Sequence, residues 1–265
     1  SVAEEVLFFI HGPTQTRKST FIDAIKGAMG SYVTVTNFDT FLMKDRGGNT
    51  NDLAALANAR MVMSVEVDEG TRIAEKIIKS LTGGDPVQAR FLFKEFFEFR
   101  PQFKMWLVAN QAPRVRTGDD AFWRRIHRIP FTAQIPKGQE DRSIKPRMRN
   151  PDIMGPAVLR WAVEGCLLWQ QEGLKPPAAI VHSTESYRQE TDPTAEFIAT
   201  CCITGNENLQ VRASALYVAY REWGHAAGMG EKELLTGNAF GRRMLANKFE
   251  RSRSRISNVY KGIGL

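Results

Sequence analysis

Cysteine is scarce in this chain. Cys166, Cys201 and Cys202 are the whole complement; two are adjacent and none forms a C-x-x-C pair. That argues against a disulfide framework and against a cysteine-based zinc site. The opening Ser1-Val2-Ala3 lacks the basic and apolar regions of a secretory leader, so a cytoplasmic protein is expected, in the host cytoplasm if phage-encoded. A starting methionine is missing too, as expected of a piece of a longer polypeptide. No apolar run approaches the roughly 20 residues that cross a bilayer, so no membrane partner is expected. Acid is in deficit: 29 Asp and Glu face 36 Lys and Arg, a formal charge of +7, which favours polyanionic partners. The remainder, 43% hydrophobic and 25% charged across 265 residues, can bury one large core or two smaller ones.

One more absence is local. The segment HGPTQTRKST, residues 11–20, is a G-x-x-x-x-G-K-[ST] phosphate loop without its second glycine: Gly12 opens it, Lys18-Ser19 close it, and Arg17 stands where glycine is expected. Its context is right. VLFFIHG before it is a short buried strand, and KSTFIDAIKGAMG after it carries Phe21, Ile22, Ile25 and Met29 at helical spacing. Residues Gly12, Pro13, Thr14, Gln15, Thr16, Arg17, Lys18, Ser19 and Thr20 are therefore the candidate nucleotide cradle. A non-glycine residue held in the glycine conformation costs on the order of 1–3 kcal/mol, and the Arg17 side chain is expected to point away from the nucleotide. A weakened site is expected, not a dead one.

Three further stretches follow the same logic. ARMVMSVEVDEG is strand-like over residues 61–67 and ends in Glu66, Asp68 and Glu69, carboxylates able to hold a magnesium shell and orient water. FKMWLVANQAP is an apolar strand ending at Asn110, which can hydrogen-bond a terminal phosphate or the water. Between them GGDPVQARFLFKEFFEFRPQF suggests a hairpin; most of its phenylalanines are expected to be core, leaving Arg90 and Lys94 as single-strand contacts. Arg124-Arg125 precede another short strand in DDAFWRRIHRIPF, and one of them is a candidate finger for a neighbouring subunit's site.

In this order, GPTQTRKST, MVMSVEVDEG, the long hairpin stretch with its VANQAP end, and AFWRRIHRIPF resemble the superfamily 3 helicase part of phage and plasmid primase–helicases, related to the poxvirus primase–NTPase. The resemblance is strong over residues 6–131 and looser beyond. It implies an α/β P-loop NTPase with a parallel sheet flanked by helices. ATP and Mg2+ are its implied cofactors. Lys18 and Ser19 would bind phosphates and metal, with Glu66 and Asp68 as further metal ligands. Glu66, Asp68 and Glu69 form the acidic motif, Asn110 is the sensor, and Arg125 the finger. It also implies a hexamer-like ring and a primase domain upstream or in trans. Arg17 departs from the family pattern and puts full ATPase activity in doubt.

In the second half, residues 156–173 form a helix expected to pack on the core through Leu159, Ala162, Val163, Cys166, Leu167 and Gln170, and 174–180 read as a linker. VRASALYVAYREWGHAAG and TGNAFGRRMLANKF are amphipathic helices, followed by Arg251, Arg253 and Arg255 at the period of a strand. Helix, helix and basic hairpin read as a winged-helix module. Arg242 and Arg243 would lie on its recognition helix and the three arginines on its wing, gripping duplex or junction DNA through phosphates. The expected divisions are 1–135 for the ATPase core, 136–178 for a lid and linker, and 179–265 for the winged helix. Two readings compete: an ATP-driven DNA helicase of phage or mobile-element replication, and a DNA-binding module whose P-loop has decayed. A small-molecule kinase explains the basic C-terminus poorly.

Overall fold

The computed structural model describes residues 2–42, 50–65, 71–115, 119–231, 234–253 and 257–265. The chain divides into two compact units, Ser1–Arg188 and Gln189–Leu265.

The first unit is built on β1 (Leu7–His11), α1 (Lys18–Met29), β2 (Val33–Asn37), the single turn α2 (Asn51–Ala54), β3 (Met61–Val65) and α3 (Glu75–Gly83). A hairpin of β4 (Val87–Ala89) and β5 (Phe97–Phe99) follows, then β6 (Lys104–Ala109), the short α4 (Asp120–Trp123) and β7 (Ile126–Pro130). Three helices end the unit: α5 (Ile144–Arg149), α6 (Pro151–Glu172) and α7 (Ala178–Glu190). The five long strands form one parallel sheet in the order β2-β3-β6-β1-β7. Parallel strands covered on both faces must be apolar on both. Accordingly Leu7, Phe9, Val62, Met105 and Leu107 join one core cluster, and Ile10, Met61, Met63 and Val108 join another with Ile22 and Ile25 of α1.

Strand β2 was not foreseen. Its sequence, VTVTN, alternates polar with apolar residues and lies at the sheet edge, where burial is only partial. Helix α6 starts earlier than expected and turns the other way. Of the face expected to pack, Leu159, Val163, Cys166, Leu167 and Gln170 are exposed and only Ala162 is half-buried, while Val158 packs on the cluster that includes α1. This helix is apolar most of the way round, so its periodicity did not select one face. The expected linker 174–180 gives way at Ala178 to α7, whose Tyr187 is buried in the first unit's core. For that reason the unit border falls ten residues beyond the expected one.

The second unit contains α8 (Pro193–Cys201), β8 (Ile203–Thr204), β9 (Gln210–Arg212), α9 (Ala213–Ala226), α10 (Gly237–Ala246), β10 (Arg251–Arg253), β11 (Asn258–Lys261) and β12 (Ile263–Gly264). Strands β10, β11 and β9 make an antiparallel sheet in that order, and β12 pairs with β8. Phe197, Leu216, Tyr220, Phe240, Met244 and Tyr260 form its core, each large side chain contributing about 1.5–3 kcal/mol by leaving water. Asp192 and Thr236 cap α8 and α10 by accepting from the amides of Thr194 and Ala239.

Candidate active site

In open parallel sheets, ligands gather beyond the carboxyl ends of the strands. Here β1 ends at His11 and passes straight into the loop 12–17, which opens α1 at Lys18. Gly12 is obligatory for packing: a Cβ there would lie 2.0 Å from the Phe131 carbonyl oxygen. Gln15 and Arg17 both hold left-handed backbone angles, φ 65° and 66°. Arg17 thus takes the conformation for which the motif uses glycine.

Lys18 is buried, and its Nζ donates to the carbonyls of Gly12 and Pro13, both at 2.6 Å, and to Thr16 Oγ1 at 3.2 Å. Thr16 Oγ1 donates in turn to the Pro13 carbonyl at 2.9 Å. Burial lowers the Lys18 pKa from its ordinary 10.5, because loss of solvent disfavours the ammonium. The loop therefore holds a poorly solvated cation inside a ring of its own carbonyls.

A cavity of about 770 Å3 opens here, lined by 14–20 of the loop and helix, by Val108, Ala109 and Asn110, and by Ile135, Glu140, Asp141, Arg142 and Lys145. The register explains the meeting. Ala109 pairs with His11, so Asn110, the residue that follows β6, comes beside Gly12. Arg17 is among the residues that line the cavity.

Not every expected residue is here. Glu66, Asp68, Glu69 and Arg255 lie outside the described residues. Arg125 precedes β7, at the amino end of the sheet; the strand between it and the loop's edge is about 16 Å long. It is 8% exposed, pairs with Glu5 at 2.8 Å and donates to the Ala121 carbonyl, so it is presented as a structural ion pair and not as a free finger. The sequence reading missed the 135–145 wall, which lies far along the chain from the loop it faces. It also missed Tyr187, whose hydroxyl donates to the Pro113 carbonyl at 2.6 Å, just beyond Asn110.

The hairpin differs from expectation as well. Phe91, Phe93 and Phe96 are exposed, Phe93 at 95%, because the loop 90–96 projects beyond a hairpin of three-residue strands. Arg90 lies over the Phe96 ring, 4.6 Å from its centroid, and Lys94 is exposed. In the second unit Arg242, Arg251 and Arg253 are exposed, but Arg243 is buried 3.7 Å from Asp192. Of the expected pair, α10 offers solvent only Arg242.

The chain is similar to viral proteins named as helicases. It is 26% identical over 244 residues to "Putative helicase L207/L206" of Acanthamoeba polyphaga mimivirus, covering 83% of this chain and 25% of that protein. It is 25% identical over 240 residues to "Putative helicase 022R" of Frog virus 3 (isolate Goorha), covering 83% of this chain and 24% of that protein. The chain thus spans about a quarter of the length of these relatives. Residues 10–125 match a protein family described as "Family of unknown function (DUF5906)". A solved apo A-form structure of the NrS-1 C-terminal region covers 98% of this chain and 67% of that one, with 12% identity and a TM-score of 0.48. Among the described residues no helix is long and apolar enough to cross a membrane, and no cluster of three metal-binding side chains occurs.

Proposed function

We propose that this chain is the ATP-dependent motor of a DNA helicase of the superfamily 3 type, acting in replication of a virus, phage or mobile element. One observation carries the reading: Lys18, Ser19 and Asn110 line a single cavity beyond the carboxyl ends of neighbouring parallel strands. In this reading the Lys18 ammonium exchanges at least one loop carbonyl for a phosphate oxygen and neutralises charge as it develops. Asn110 orients the terminal phosphate or the attacking water. Ser19 follows Lys18 and lines the same cavity, so it would hold a magnesium ion, with Glu66 and Asp68 proposed as the remaining ligands. The metal would supply charge neutralisation between phosphate oxygens.

DNA would be engaged twice. The exposed Phe91, Phe93 and Phe96, with Arg90 and Lys94, suit the faces and phosphates of single-stranded bases. The second unit, read as a winged helix of 189–265, would grip phosphates through Arg242, Arg251 and Arg253, with Arg255 proposed to join them. Assembly as a hexamer-like ring, and a primase domain upstream or in trans, belong to the same proposal.

A second reading, a DNA-binding replication module with a degenerate P-loop, is favoured by the Lys18 geometry, in which the ammonium is already engaged by its own loop. ATP hydrolysis measured with and without single-stranded DNA separates the two. The motor reading expects DNA-stimulated turnover abolished by Lys18→Ala. Salt-dependent DNA binding without Lys18-dependent turnover would establish the second.

A further inference from the structure

Four cationic residues and two acidic ones line the cavity, and only two of the cations belong to the P-loop. Arg142 and Lys145 come from the segment that leaves β7 and enters α5. Strand β7 flanks β1 on the side away from β6. Asn110 therefore approaches the P-loop from one flank and this segment from the other.

The carboxylates beside these cations are occupied locally: Asp141 Oδ1 accepts from the Ser143 amide at 2.8 Å, and Glu140 Oε2 from the Gly138 amide at 3.4 Å. Neither Arg142 nor Lys145 has an ion pair or hydrogen bond among the described residues. Two cations with no direct ion pair, in a cavity whose four cationic residues outnumber its two acidic ones and which already holds a phosphate-type loop, raise its affinity for a polyanion.

We propose that Arg142 and Lys145 are phosphate ligands that close the cradle of a nucleoside triphosphate from the β7 side. This rests on the nucleotide reading of the loop and goes beyond it in making the pocket a two-walled site. The sequence hid this because the second wall lies over 120 residues from the first. The charge on it is read by phosphate, not by the base, so a bare polyphosphate should feel it too. A DNA phosphate has the same chemistry and is the alternative source of ligand.

The test measures binding of magnesium ATP, magnesium ADP, tripolyphosphate and an oligothymidine to the full chain. Wild type is compared with Arg142→Ala, Lys145→Ala, the double variant, Lys145→Arg, Lys137→Ala and Lys18→Ala, with circular dichroism to confirm folding. Each single alanine is expected to weaken ATP and tripolyphosphate about tenfold, the size of a charge-assisted hydrogen bond, and ADP less, with Lys145→Arg close to wild type. Lys137, an exposed cation of the same segment that does not line the cavity, should be silent. If the double variant keeps wild-type ATP affinity while Lys18→Ala loses it, the second wall is refuted and the loop reading stands. Equal losses in Lys137→Ala would make the effect bulk charge, and a loss of oligothymidine binding alone would make it a DNA contact; each overturns the proposal. If wild type binds neither ATP nor tripolyphosphate, the nucleotide reading falls and takes this inference with it.

Discussion

At Arg17 the question is where the cost of the missing glycine falls. The left-handed angle, φ 66° and ψ 16°, belongs to the folded loop, whose Lys18 is tied to the Gly12 and Pro13 carbonyls. The penalty of about 1–2 kcal/mol for an L-residue in that region is therefore borne on folding. Affinity for phosphate is affected instead by the charge of Arg17, a residue that lines the cavity. Arg17→Gly and Arg17→Ala both remove that charge, but only glycine releases the strain. Glycine also loosens the unfolded chain, by roughly 0.5–1 kcal/mol, so the net gain over alanine should be about 0.5–1 kcal/mol in a denaturant titration. The two variants should bind ATP equally. A glycine variant no more stable than alanine would show that the loop relaxes around either residue. Arg125 is a different case: its buried guanidinium pairs with the partly exposed Glu5 and donates to the Ala121 carbonyl, so Arg125→Ala removes internal contacts along with the charge, and a loss of activity in it is a poor diagnostic of a finger.

At the scale of the element, the β4–β5 hairpin is where sequence and structure part most usefully. Five phenylalanines within nine residues look like core material. The strands, however, are three residues each, too short to bring the loop 90–96 under cover. Phe91 stacks on Phe97 with centroids 5.9 Å apart, and Arg90 covers Phe96, while Phe93 has a left-handed φ of 59° and is almost fully solvated. An aromatic side chain with so little buried surface contributes almost nothing to stability. Phe93→Ala should leave the melting temperature unchanged and reduce single-strand affinity by about 1–3 kcal/mol, the value of one stacked base. Fluorescence anisotropy with an oligothymidine checks it: unchanged affinity would remove the hairpin from the DNA path. Helix α10 gives the opposite lesson, since Arg243, read from sequence as a contact, is spent on Asp192 inside the second unit.

For the molecule as a whole, the division after Arg188 makes a direct prediction. The second unit has its own core around Tyr220 and Phe240 and its own sheet, so a fragment of 189–265 should fold alone with a cooperative transition. It should bind duplex DNA with an affinity that falls with salt, and replacing Arg251 and Arg253 together should flatten the log–log slope by up to about 0.9 for each lost phosphate contact. A folded fragment whose DNA binding ignores salt would return these arginines to the status of a solvated face. The sequence alone determined the parts governed by local rules: the β1–loop–α1 unit from a short apolar run and a glycine, the strand ending at Asn110, the two amphipathic helices of the second unit, and the alternation of Arg251 and Arg253. Only the tertiary structure decided what depends on distant partners. It set Asn110 beside Gly12 through strand register, added the 135–145 wall, buried Arg125 and Arg243 against Glu5 and Asp192, and exposed Phe91, Phe93 and Phe96 of the hairpin loop and the outer face of α6. Local pattern reports which residues share a face or a turn; whether that face meets solvent, a carboxylate or a cavity is settled by packing between segments that the sequence keeps far apart.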